Sequence, residues 1–133
     1  MLPHRSPVQV DVWVYQTMDF RTTLSRCVYG GSPSFEGLRD EVVPKWLAGF
    51  ERALPGDGFC AGSLSIADFM LVEALMHARA ILAAKAGVAD ALSPYPRVSA
   101  LVKRFETLPR VAEYLSSPTV KALPWNGPSA RFR

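Results

Sequence analysis

The chain is poor in the residues that do most covalent and metal chemistry. Its 133 residues hold only two cysteines, Cys27 and Cys60, and two histidines, His4 and His77. Two cysteines cannot make a disulfide framework, and with no secretory leader they are expected as buried free thiols of a reducing compartment. His4 and His77 are far apart and neither cysteine has a neighbour at ligand spacing, so no metal is expected. His77 lies in an apolar stretch and reads as a structural residue. There is no G-x-S-x-G elbow, no cysteine in a nucleophile's context and no glycine-rich loop after a strand, which excludes the commonest hydrolase and phosphate-loop readings. Met1 to Pro7 lacks the apolar core of a signal peptide, and no apolar run is long enough to span a bilayer. A cytoplasmic location with no membrane partner is the expectation. Net charge is only +3 with the basic residues scattered, so no nucleic-acid partner is expected either.

What is present is enough apolar material for one core. Hydrophobic residues make up 49% of the chain, and residues 1–133 read as a single domain without repeats or low-complexity segments. Ser6-Pro7 is a helix start, because proline at the first helical position gives up no needed hydrogen bond. The next stretch is ambiguous. Val8, Val10, Val12 and Val14 alternate with Gln9, Asp11, Trp13 and Tyr15 as in a strand, whereas Tyr15, Met18, Leu24, Val28 and Tyr29 lie nearer helical spacing. Gly30-Gly31-Ser32-Pro33 ends the element. A second helix is expected from Ser34 to Leu54, burying Phe35, Leu38, Val42, Trp46, Leu47 and Phe50 and kinked at Pro44.

The third helix carries the clearest local signal. Ser65-Ile66-Ala67-Asp68 has a capping-box layout with aspartate in place of glutamate, and Leu64 and Phe69 are placed as a hydrophobic staple. Loss of Asp68 should therefore harm folding and not chemistry. The helix runs to about Ala84, apolar nearly all round, as expected of a central helix packed on every side. Helices from Arg97 to Thr107 and from Pro109 to Ser116, with Val111 and Leu115 inward, complete an all-α bundle of about five helices. The tail from Lys121 to Pro128 has no regular pattern.

Four segments together resemble a known family. Met18-Asp19-Phe20-Arg21 with Leu24, Arg26, Cys27, Tyr29, Phe35-Glu36 and Pro44 is similar to the first two helices of the mu-class glutathione transferase C-terminal domain. Ala61 to Phe69 resembles the family's G-x-x-[ST]-x-A-D-F capping motif, Tyr95-Pro96-Arg97-Val98 with Arg104 to Pro109 its penultimate helices, and Leu123-Pro124 through Phe132 its closing segment. The resemblance implies a helix for the ambiguous first element.

It also implies a function: conjugation of glutathione, as co-substrate, to a small apolar electrophile. By resemblance, Tyr29 is the tyrosine that points into the electrophile site and assists as a proton donor, Ser25 one turn earlier faces the same pocket, and Trp125 closes it from the tail. A tyrosine merely packed at a helix end is the plain alternative. Asp19 corresponds to the aspartate that reaches the γ-glutamyl amine of glutathione across a dimer, with Arg21 holding it in place; a solvated or intrahelically paired charge is the alternative.

The sequence departs from the family too. The family activates the glutathione thiol in an N-terminal thioredoxin-like domain, for which there is no room before Ser6, so this chain alone is expected to be inactive. Asn126 and Gly127 stand where mu-like proteins carry bulkier residues. A second reading is a non-catalytic docking module of the elongation-factor or synthetase-complex type. Under either, apolar residues between Val8 and Tyr29 are expected to be exposed and to need a second copy or another domain as partner.

Overall fold

The computed structural model describes residues 6–133, and His4 lies outside the described residues. Helix α1 (Pro7–Ser25) starts where Ser6 caps it, its hydroxyl accepting from the Gln9 N–H at 3.5 Å. One wider π turn (Arg26–Gly30) prolongs it, and Gly31 stops it in the left-handed conformation with φ 73°. A side chain there would also run into the Arg131 guanidinium.

The valine alternation is resolved as two stripes on nearly opposite sides of this one helix. Val10 and Val14 lean on the core, while Val8 and Val12 are exposed. The buried face is Trp13, Thr17, Phe20 and Leu24, spaced by three and four as a helix requires.

The second helical run is α2 (Phe35–Gly37), a π turn (Leu38–Val42) and α3 (Val43–Ala53). Pro44 does not break it. Proline offers no N–H to the carbonyl four residues back and crowds it, and the wider turn just ahead makes room for the ring. The Val43 N–H accordingly returns to the Leu38 carbonyl, five residues earlier.

Helix α4 (Ile66–Lys85) is the centre of the bundle, and its pairing with α1 is the most extensive in the structure. It buries Leu71, Leu75, Ala78 and Ile81 completely. The expectation that it is packed on every side is not met: Ile66 and Phe69 are 59% and 46% exposed, and Glu73 continues the open stripe. Phe69 and Glu73 of this stripe border a cavity, which is why Phe69 is apolar without being covered.

Helix α5 (Pro96–Glu106) contributes Val98, Leu101, Val102 and Phe105 to the core. Its orphan N-terminal donors are met from α3, where the Glu51 carboxylate accepts from the Arg97 and Val98 N–H groups at 2.8 and 2.9 Å. The short helices α6 (Pro109–Ser116) and α7 (Pro118–Lys121) bury no residue fully; Val111 and Leu115 are half-buried. Five longer helical runs and α7 thus make the all-α bundle expected, and two isolated bridges, Phe59 with Gly62 and Ala61 with Ser63, are the only strand-like pairings among the described residues.

Candidate functional site

A cavity of about 640 Å³ opens beside the C-terminal half of α1, lined by Met18, Arg21, Thr22, Ser25, Arg26, Tyr29 and Gly30. Met18, Thr22, Ser25 and Tyr29 repeat at helical spacing, so one face of one helix supplies most of the wall. Ser25 and Tyr29, expected to share a pocket, do so. Tyr29 is 49% exposed, and its hydroxyl accepts from the Gly127 N–H at 2.8 Å. A phenol that accepts this bond keeps its own proton to donate.

Gly127 belongs to the tail, which folds back over the helices in three places. The Arg131 N–H donates to the Val28 carbonyl at 2.7 Å, Phe132 is buried, and the Arg131 guanidinium lies 5.2 Å from the centre of the Phe35 ring. Asn126 donates from Nδ2 to the Phe132 carbonyl at 2.9 Å, and the same nitrogen is 3.0 Å from His77 Nε2. Trp125 stacks on His77 with ring centres 5.3 Å apart and planes 5° from parallel.

Trp125 does not join Ser25 and Tyr29. It lines a second, larger cavity of about 870 Å³ between α4, α6 and the tail, with Phe69, Met76, Phe105, Tyr114 and Leu123 among its walls. Phe69 makes an edge-on contact with Phe105 there, ring centres 4.9 Å apart. The tail residues that do reach Tyr29 are Asn126 and Gly127. The resemblance set these aside as departures, yet they are the tail's contact with the crevice; a Cβ at 127 would lie 3.4 Å from the Tyr29 hydroxyl, an ordinary van der Waals contact, so the approach does not itself demand glycine.

Asp19 is exposed on α1, and Arg21 does not hold it. Residues two apart on a helix point about 200° from each other. Arg21 instead pairs with Glu73 of α4 at 3.4 Å.

The two polar groups picked out at the start of α4 are buried and fully engaged. Asp68 accepts from the Ser65 N–H and the Cys60 N–H, both at 2.8 Å, and from the Ser65 hydroxyl at 3.3 Å, so the capping box also ties down the preceding loop. The cysteines are free, and burial raises the thiol pKa of both, which leaves neither as a nucleophile at neutral pH. Burial, aided by Arg21, pushes the His77 imidazole down to about 4, so the ring is neutral at pH 7. Among the described residues no group of three or more His, Cys, Asp or Glu could hold a metal ion, and no helix is long and apolar enough to cross a membrane.

This is a helical domain built round a capped central helix, with a tyrosine-lined crevice on its first helix. Comparison with known proteins identifies the type. The family described as glutathione S-transferase, C-terminal domain, matches residues 18–118. Glutathione S-transferase P 1 of Bufo bufo is 36% identical over 82% of this chain and 51% of its own length. Glutathione S-transferase Mu 3 of Homo sapiens is 33% identical over 94% of this chain and 54% of its own. The solved structure of the Onchocerca volvulus pi-class glutathione S-transferase superposes with a TM-score of 0.81 at 20% identity, covering 97% of this chain and 64% of that one. The chain belongs to the glutathione S-transferase family, through its C-terminal domain. It spans about half the length of the curated relatives it matches.

Proposed function

We propose that this domain binds the electrophile in glutathione conjugation, with Tyr29 as the proton donor in the crevice and Ser25 beside it. The observation that carries the reading is the Tyr29 hydroxyl: it faces a cavity, its accepting side is taken by Gly127, and its proton remains available. Glutathione is the co-substrate, held mainly by a thioredoxin-like domain outside these 133 residues, and the domain alone is inactive. Asp19, exposed on the same helix with no ion pair among the described residues, reaches the γ-glutamyl ammonium of glutathione from one subunit of a homodimer to the other. Trp125 serves substrate binding only if the electrophile extends to the second cavity. The setting is the cytoplasm.

A docking module, the second reading, would use the exposed apolar stripe of Val8, Val12, Tyr15 and Met18 along α1, 49% to 70% open. That surface suits a partner domain equally well under both readings. Calorimetry with glutathione separates them, on this chain alone and with a separately made mu-like thioredoxin-like domain. Binding and conjugation that appear only in the mixture are expected. No binding in the mixture would move the assignment to a docking module.

A further inference from the structure

We infer that His77 and Asn126 are positioning residues, locking the tail so that the Gly127 N–H stays on the Tyr29 hydroxyl, and that the lock holds only while His77 is neutral. The inference rests on the reading of Tyr29 above for its catalytic meaning, but the lock itself is a matter of geometry.

The hydrogen-bond roles are forced by one carbonyl. The Phe132 carbonyl can only accept, so Asn126 must turn its NH₂ group towards it. The same Nδ2 lies 3.0 Å from His77 Nε2 and can only donate. Nε2 must therefore be the lone-pair nitrogen, and the ring proton sits on Nδ1. Adding a proton at Nε2 sets two donors against each other. Turning the amide over to suit the imidazolium would set Asn126 Oδ1 against the Phe132 carbonyl. Neither orientation satisfies all three groups, so a protonated His77 breaks the knot whichever way Asn126 turns.

The surroundings give the charged ring no refuge. His77 is 9% exposed, with Trp125 stacked on it and the Phe132 ring 6.2 Å away. Of the charged groups nearby, Arg21 of α1 repels a positive ring, Glu73 of α4 is engaged by Arg21, and Arg131 of the tail lies over Phe35.

The coupling to Tyr29 is short. The Gly127 N–H belongs to the peptide plane between Asn126 and Gly127, so an Asn126 that is fixed holds that N–H in place. Between α4 and the crevice there is thus one side chain, one peptide plane and one phenol. The Ala130 N–H also holds the Gly127 carbonyl, at 3.1 Å, but that bond stays within the tail, whereas Asn126 ties the same stretch to α4.

Hydrogen exchange on the 133-residue chain tests this. His77→Phe keeps a ring to stack on Trp125 but removes the acceptor, and Asn126→Ala, at a half-buried position, removes the donor without touching α4. At pH 7 each is expected to lower the protection of the Gly127 amide by about tenfold or more, as loss of a hydrogen-bonded anchor should, while Leu75 and Ala78 in α4 keep theirs. Acidifying the unmodified chain towards pH 4 should reproduce the tail release, and His77→Phe should remove that pH response. Unchanged Gly127 protection in both variants, or equal loss along α4 and tail, would overturn the lock and leave His77 as a core residue. The readout needs no activity, so it is separate from the fate of the catalytic reading. If Tyr29→Phe leaves conjugation by the two-domain mixture intact while the lock is confirmed, only the catalytic reading fails.

Discussion

Helix α4 carries two buried polar side chains, Asp68 in its first turn and His77 about two and a half turns later, and they do opposite work. Asp68 is fully buried and accepts three hydrogen bonds from its own helix start and the loop before it, all within eight residues in sequence. His77 makes its bond to a residue 49 positions away, in a tail with almost no regular structure. The first holds the fold; the second holds the irregular tail against it. A charged group suits the first because its donors are all local and always present, whereas a neutral, titratable group suits the second.

The largest effect should come from breaking the first. Asp68→Ala strips two buried N–H groups of their acceptor and removes the cap, which should cost about 3 to 4 kcal/mol in urea unfolding. If His77→Phe costs as much, the contrast between the two positions collapses.

The next effect falls in catalysis. Tyr29→Phe, measured in the two-domain mixture, should lower conjugation of electrophiles that need a proton by about 100-fold. Its stability should shift by only about 1 kcal/mol for the lost Gly127 bond.

A pH series sharpens the comparison further. His77 has a folded pKa depressed to about 4 from an ordinary 6.5, so below 6.5 the unfolded chain takes up the proton first. Stability tied to His77 is therefore present above 6.5 and lost as pH falls through about 4. Carboxylates titrate in the lower part of that window, so the informative quantity is the difference between the unmodified chain and His77→Phe. That difference should narrow steadily on acidification.

The smallest effect is expected at the Arg21–Glu73 pair, which bridges α1 and α4 with both side chains nearly half exposed. Arg21→Ala should change stability by no more than about 0.5 kcal/mol. A much larger loss would mean that the α1–α4 contact leans on this ion pair and not on the buried apolar residues of the two helices, Phe20 and Leu24 on α1 and Leu71 and Leu75 on α4.

This division also explains what could be read from the amino-acid sequence. Ser6-Pro7, Gly31 and the Ser65–Asp68 box act on neighbours a few residues away, so their roles follow from local chemistry. The valine alternation left the first element ambiguous because a period of two over four valines fits a helix equally well when two stripes are apolar. The open stripe of α4 was invisible because an apolar residue lining a cavity looks the same in sequence as one in the core. At the site, Ser25 and Tyr29 were legible since they lie one turn apart on one helix. Trp125 was placed in the wrong neighbourhood because the path of an irregular tail is set by long-range contacts, here His77, Val28 and Phe35. Asn126 and Gly127 carried no motif, and only the fold shows what they touch.

The π turn at Arg26–Gly30 can be seen as an error in helical phase. One surplus residue in a turn offsets everything after it by about 100° relative to an unbroken α-helix. Tyr29 and the Val28 carbonyl both lie inside that offset, the one meeting Gly127 and the other Arg131. Deleting a single residue between Arg26 and Val28 would restore a regular helix and turn both away from the tail together. The crevice and its strap are thus registered against each other by an insertion one residue long.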